Sequence, residues 1–391
     1  MTVIAQQPRI RPSLLVGELI EPRVVQPSAG YSRGVTVTDL GLPRLRGTLA
    51  HAPAPVSDRP DDPRLVDRFG RVATDLRVSL TDRCNLRCTY CMPAKGLDWT
   101  PTQQLLTDDE IVRLVRIGVG QLGITVIRFT GGEPTLRKSL TAIVRRVAGL
   151  LPRPEISLTT NGIGLARQAR ALAAAGVDRL NVSLDTLIPK RFERITRRNR
   201  LTDVLDGMAA ARAAGLTPVK VNAVLLRGVN DDEAVPLLRY CLGAGYELRF
   251  IEQMPLDAQH GWQRDEMITA AEILERLQTA FRLTPDPAER GGAPAERWLV
   301  DGGPETVGVI ASVTRPFCGD CDRTRLTGDG QLRTCLFARG ETDLRALLRG
   351  GASDDEIADV WRGAMWVKAA GHGIDEPGFL QPERPMSAIG G

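Results

Sequence analysis

The chain has 391 residues and a net charge of +4, with 42% hydrophobic and 25% charged residues, the balance of a globular protein with one large domain or two smaller ones. No apolar run approaches the roughly 18 residues of a membrane span, and the charge is too small and too scattered to argue for nucleic acid. The opening Met1-Thr2-Val3-Ile4-Ala5-Gln6-Gln7-Pro8 lacks a basic segment followed by an apolar core, so a secretory leader is not expected.

Residues 1–66 are rich in Pro, Gly, Arg and Ser without a sustained hydrophobic period, and read as a poorly ordered N-terminal extension. From about 74 short apolar runs alternate with longer helical ones. The runs at 74–80, 124–130, 155–159, 178–184, 217–224 and 247–252 predict strands, and those near 108–121, 136–150, 163–175, 201–214 and 231–243 predict helices. Thr107-Asp108-Asp109-Glu110 has the form of a capping box, and Gly176 and Gly215 follow Ala-rich stretches as helix-ending glycines do. This alternation predicts an α/β fold, a partial (β/α)6 barrel of the TIM type over 67–255. Beyond it come a helix near 268–281, a Gly/Pro-rich linker at 285–294, a strand at 305–313 and a helix near 354–366. Residues 256–391 therefore read as a smaller appended module ending in Gly390-Gly391.

The seven cysteines fall at 84, 88, 91, 241, 318, 321 and 335. Cys84, Cys88 and Cys91 follow the first strand closely enough for one loop to aim three sulfurs at a common point. Thiolates favour iron–sulfur clusters or zinc, and the three histidines are distant in sequence, so no fourth zinc ligand lies near. Three cysteines on a four-iron cluster leave one iron open to a small molecule. Cys318, Cys321 and Cys335 repeat that logic, with half a zinc ribbon as the competing reading. Cys241 sits alone in an apolar helix and reads as a core thiol.

Polar residues gather at the C-terminal ends of the predicted strands, where barrels of this kind build their sites. They include Thr130-Gly131-Gly132-Glu133-Pro134, Thr159-Thr160-Asn161-Gly162, Ser183-Leu184-Asp185 and Glu252-Gln253-Met254. Glycines in the first of these let the main chain approach a ligand. Arg77, Arg128 and Lys220 lie on separate strands near the same mouth, and buried cations are costly unless an anion meets them. Arg323-Thr324-Arg325, just beyond Cys321, places two guanidiniums on one side of an extended strand, suited to a phosphate or an electron-rich base.

The C-x3-C-x2-C loop followed by strand–helix alternation resembles the signature of the radical S-adenosylmethionine (SAM) superfamily. With the C-x2-C-x13-C group, the Arg-Thr-Arg run and the closing Gly-Gly, the resemblance narrows to the GTP 3′,8-cyclase family of molybdenum cofactor biosynthesis, over about residues 70–391. It implies two 4Fe-4S clusters, one on Cys84, Cys88 and Cys91 and a substrate-side one on Cys318, Cys321 and Cys335. It further implies SAM contacts at Tyr90, Gly132, Ser183 and Met254, and GTP contacts at Arg77, Arg128, Thr159, Lys220, Arg323, Thr324 and Arg325. No side chain is assigned a catalytic role, because a SAM-derived 5′-deoxyadenosyl radical would remove hydrogen from C3′ of the ribose before C3′ joins C8. The expected partners are a flavodoxin- or ferredoxin-like electron donor, the downstream cyclic pyranopterin monophosphate synthase and a second copy in a homodimer, with no membrane or nucleic acid, in the cytoplasm. The competing readings are a radical SAM peptide-modifying enzyme with an auxiliary cluster, and a zinc-stabilised binding module.

Overall fold

Side chains alternate across a strand, so apolar residues at every second position fix which face of a sheet meets its helices. The computed structural model of the chain describes residues 58–390. It contains the six predicted strands as β1 (Asp75–Ser79), β2 (Val126–Thr130), β3 (Glu155–Thr160), β4 (Arg179–Ser183), β5 (Val219–Ala223) and β6 (Glu247–Ile251). Neighbours from β1 to β6 pair in parallel and in sequence order. The intervening helices Asp108–Gln121, Leu140–Ala148, Leu165–Ala175, Leu201–Ala213 and Ala234–Ala244 lie where the 3.6-residue period put them. Thr107 and Glu110 close the capping box. A further helix, Pro189–Thr196, was not foreseen, and its eight residues are too few for a clear period.

One face of these strands carries Leu76, Val78, Ile127, Phe129, Ile156 and Leu158, all fully buried against the helices, and the pattern continues through Leu180, Val182, Val221 and Phe250. The other face carries Arg77, Arg128, Thr159, Ser183, Asn222 and Arg249, which line a cavity. Parallel strands buried on both faces usually read as continuous apolar runs. Here the interior is polar, so the strands alternate.

The C-terminal module is built into the barrel sheet instead of standing beside it. It adds β7 (Leu283–Pro285), β8 (Glu296–Val300), β9 (Thr306–Ile310), β10 (Arg323–Leu326), β11 (Gln331–Arg333) and β12 (Thr342–Asp343). The order across the 12-stranded sheet is β12-β11-β10-β1-β2-β3-β4-β5-β6-β9-β8-β7. Strand β9 joins β6 in parallel and β10 joins β1 in parallel. The module thus flanks both open edges of the six-stranded core. Trp361, on the helix Asp354–Trp366, is fully buried behind β10 and donates from Nε1 to Thr324 Oγ1 at 3.2 Å.

Residues 1–57 of the expected extension lie outside the described residues, as does Gly391. Residues 58–66, grouped with that extension above, pack on the body: Leu65 is fully buried and its carbonyl accepts from Ala73 N at 2.9 Å. Cys241 is a fully buried core thiol. Among the described residues no helix is long and apolar enough to cross a membrane.

Candidate active site

The cysteine loop leaves β1 through residues 80–83 and is held from two sides. On one side Gly132 N donates to Thr81 O and Glu133 N to Arg83 O, both at 2.7 Å. A Cβ on Gly131 would stand 2.4 Å from Thr81 O, and one on Gly132 would stand 2.4 Å from both Asp82 O and Arg83 O. Backbone lying on backbone is the nearest cause of these glycines; ligand approach is a second use of the same turn. Glu133, fully buried, accepts from Thr135 N, Thr160 Oγ1 and Asn161 N, and so ties the end of β2 to the end of β3. On the other side the unforeseen helix clamps the loop. Arg87 N donates to Thr196 O and Thr89 N to Ile195 O, each at 2.9 Å, while Arg197 reaches Arg87 O at 2.7 Å.

Cys84, Cys88 and Cys91 all line the cavity. Burial pushes all three thiols up, Cys91 to about 12, with Cys84 and Asp257 adding to the shift there. Three crowded thiols that resist ionisation suit a cationic metal centre, which supplies the missing positive charge. Leu86 N lies 3.5 Å and Asn161 Nδ2 3.8 Å from Cys84 Sγ, the N–H···S contacts that tune iron–sulfur ligands. Tyr90 donates to Asp185 Oδ2 at 2.7 Å, and Asp185 Oδ1 accepts from Val224 N at 2.9 Å. Burial raises the Asp185 carboxyl to about 6. Gly132, Ser183 and Met254 line the same cavity.

Cys318, Cys321 and Cys335 line it from the opposite end. The first two flank the single turn Cys318–Asp320, and Cys335 follows β11, which pairs antiparallel with β10 and brings the third sulfur back. Here the charges are reversed. Burial pushes the Cys318 thiol up and alone would raise Cys321 too, but Arg323 and Lys368 bring Cys321 down to about 7. Arg71, paired with the buried Asp67 at 2.5 Å, also donates to Cys318 O at 2.7 Å. His372 is spent elsewhere: Nδ1 accepts from Ile374 N at 3.1 Å and Nε2 lies 3.0 Å from Ser312 O. It is therefore no fourth zinc ligand. Among the described residues no three Cys, His, Asp or Glu side chains converge on a single-ion site, as tetrahedral zinc with bonds of about 2.3 Å would require. Three thiolates without a fourth protein ligand are the donor set of a four-iron cluster with one iron left open, and each triad supplies it.

Between the triads stand the cations. Arg77 is in register with Arg128 on β2 and with Arg325 on β10. Like charges opposite one another on neighbouring strands are unfavourable. Burial, then Arg128 and Arg325, hold the Arg77 guanidinium well below its ordinary value. Asp75 answers Arg128 at 3.5 Å, yet Nε of Arg77, Nε of Arg128 and one terminal nitrogen of Arg323 are buried with no hydrogen-bond partner among the described residues. Arg323 and Arg325 are not solvated arginines of an edge strand: they are 6% and 5% exposed on a strand between β1 and β11. Arg325 donates to Gly390 O at 2.6 Å, which places the end of the described chain in the cavity wall.

Two expected contacts sit differently. Thr324 points away from the cavity, because residues alternate along β10, and its hydroxyl meets Trp361 on the helix face. Lys220 faces the interior one pleat below Asn222 and pairs with Glu247 at 3.2 Å, outside the cavity lining. Burial and Arg249 lower its ammonium to about 8. The polar lining residues that sequence reasoning missed include Arg249, on the inward phase of β6, and Ser387, near the end of the chain. For Arg249 the alternation that pointed to Lys220 was available. Ser387 carried no signal. Glu252 is structural: it caps Ala270 N and accepts from Val313 N and Thr314 N.

Two family models match the chain, the radical SAM superfamily over residues 78–241 and Molybdenum Cofactor Synthesis C over residues 246–374. The chain is 69% identical over 328 residues to the GTP 3′,8-cyclase of Streptomyces coelicolor, covering 84% of this chain and 96% of that one. It is 63% identical over 357 residues to the GTP 3′,8-cyclase of Mycobacterium sp. (strain KMS), covering 91% and 100%. Among solved structures, Streptococcus suis SuiB bound to S-adenosylmethionine shares the fold with a TM-score of 0.50 at 12% identity, covering 70% of this chain and 64% of that one.

Proposed function

The chain belongs to the GTP 3′,8-cyclase family of radical SAM enzymes, and on that premise we propose how its residues divide the work. The enzyme converts GTP to (8S)-3′,8-cyclo-7,8-dihydroguanosine 5′-triphosphate, the first step of molybdenum cofactor biosynthesis, with SAM and two 4Fe-4S clusters. Cys84, Cys88 and Cys91 hold the cluster that meets SAM, and Cys318, Cys321 and Cys335 hold the one that meets the substrate. When bound, the first cluster with SAM supplies the hydrogen-abstracting carbon radical; the protein supplies position and exclusion of water.

Tyr90, Gly132, Ser183 and Met254 orient SAM, with Asp185 fixing the Tyr90 hydroxyl. Arg77, Arg128 and Arg249 receive the triphosphate from the barrel wall, and Lys220 and Thr159 extend that wall below and beside them. Arg323 and Arg325 hold the base end, with Thr324 contributing main chain alone. The ribose between these groups loses its C3′ hydrogen, C3′ bonds to C8, and one electron and one proton complete the product. Met386–Gly390 closes the cavity: Met386 N donates to Leu256 O and Arg325 holds Gly390 O. The electron comes from a flavodoxin- or ferredoxin-like donor, the product passes to cyclic pyranopterin monophosphate synthase, and the enzyme works as a homodimer in the cytoplasm.

The observation that carries the substrate assignment is the row Arg325, Arg77, Arg128, in register on adjacent strands, in which Nε of Arg77 and Nε of Arg128 are buried with no hydrogen-bond partner among the described residues. A triphosphate answers Arg77 and Arg128, and the base end of the same nucleotide meets Arg325. Arg323→Ala and Arg325→Ala should each weaken GTP binding about 10- to 100-fold, the roughly 1.5–3 kcal/mol of a charge-assisted hydrogen bond, and leave SAM binding unchanged. Calorimetry on anaerobic, reconstituted protein reads both ligands. Loss of SAM affinity with GTP affinity intact would misplace these arginines.

A further inference from the structure

Lys368 follows the helix Asp354–Trp366, where a lysine ordinarily reaches back to its own helix's carbonyls. This one does not. Its side chain turns inward, leaving the residue 3% exposed, and Nζ donates to Arg323 O at 3.0 Å, Cys321 O at 3.1 Å and Cys321 Sγ at 3.3 Å. Among the described residues no carboxylate forms an ion pair with it; the nearby Asp322 turns to Arg323 at 3.6 Å. A buried ammonium without an anion is strongly disfavoured, and the sulfur of Cys321 is the one group in its shell that can carry negative charge.

The rest of the segment is held to the same triad. Arg71 donates to Ala369 O at 2.6 Å and to Ala370 O and Cys318 O at 2.7 Å, so one guanidinium fixes the main chain after Lys368 to the main chain at Cys318. A Cβ on Gly371 would stand 4.0 Å from Cys318 Sγ. Residues 368–371 form a collar on the C-terminal triad, and Lys368 is its one charged member.

We propose that Lys368 is a positioning and charge-compensating residue for the C-terminal iron–sulfur cluster. Its ammonium donates to the ligating sulfur of Cys321, favours the reduced cluster over the oxidised one, and so sets its reduction potential above that of an uncompensated three-cysteine site. The cationic environment, hydrogen bonds to sulfur and burial are the levers by which a protein sets such potentials. The proposal rests on the assignment of a cluster to Cys318, Cys321 and Cys335.

The test uses the full chain carrying Cys84→Ala, Cys88→Ala and Cys91→Ala, reconstituted anaerobically so that only the C-terminal cluster contributes. Iron is counted and the cluster is titrated redox-potentiometrically by electron paramagnetic resonance, with Lys368, Lys368→Met and Lys368→Arg. The parent should hold about four irons. Lys368→Met should shift the equilibrium for reduction at least tenfold towards the oxidised form, about 59 mV more negative for one electron, while Lys368→Arg stays near the parent. Iron lost from Lys368→Met but kept by Lys368→Arg is the same charge dependence in stronger form. Equal potentials in parent and Lys368→Met would overturn the proposal, as would equal iron loss in both variants, which marks a role in shape alone. A parent without iron would instead refute the cluster assignment beneath it.

Discussion

The two cysteine triads present the same three thiols to one cavity from opposite ends, in opposite electrostatic settings. Cys84, Cys88 and Cys91 come from one short loop, with Asp185, Glu133 and Asp257 among the charges that add to the shift of their thiols. Cys318, Cys321 and Cys335 come from segments joined by a hairpin, with Arg71, Arg323 and Lys368 around them and Cys321 drawn down to about 7. A sulfonium ligand such as SAM suits the acidic end, and a nucleotide triphosphate suits the cationic end and the arginine row beyond it. The ligand set alone does not distinguish the ends. Their surroundings do.

The largest effect should follow from breaking one end only. Cys88→Ala should lower iron from about eight to about four per chain and abolish SAM cleavage, while GTP binding persists; iron assay and calorimetry check both, and equal loss of both ligands would mean that the two ends are not separable. A smaller effect tests the arginine row. Arg77→Met removes a half-buried cation that has no ion pair among the described residues, so it should stabilise the ligand-free protein by on the order of 1 kcal/mol while weakening GTP binding at least about tenfold. Thermal melts with and without GTP read the trade. A destabilised protein with normal GTP affinity would show that Arg77 serves the fold. The smallest effect concerns the cysteine outside both triads: Cys241→Ala should cost about 1 kcal/mol of stability and leave the iron content unchanged, so any loss of iron would make Cys241 a ligand.

Strands β1 to β6 were legible because a polar interior forces alternation onto parallel strands, and each of the five helices between them has enough turns to show its period. The triads were legible from spacing. Strands β7, β8, β11 and β12 were not, since runs of two to five residues carry little periodicity, and nothing local says that β10 will pair with β1 across more than 200 positions. That long-range pairing turns an appended module into the two flanks of the barrel and buries Arg323 and Arg325. Thr324 was assigned as part of a run, and one step of strand alternation puts its side chain behind the sheet. Lys368 and Ser387 were silent because each enters the site through tertiary placement of an irregular segment.

The central claim is that SAM and GTP meet in one cavity between two clusters, with the ribose C3′ presented to the acidic end. GTP carrying deuterium at C3′, given to the anaerobic, reduced holoenzyme with SAM, tests it directly. Mass spectrometry of the 5′-deoxyadenosine should show one deuterium, formed only when GTP is present. Unlabelled 5′-deoxyadenosine released at the same rate with or without GTP would contradict the account.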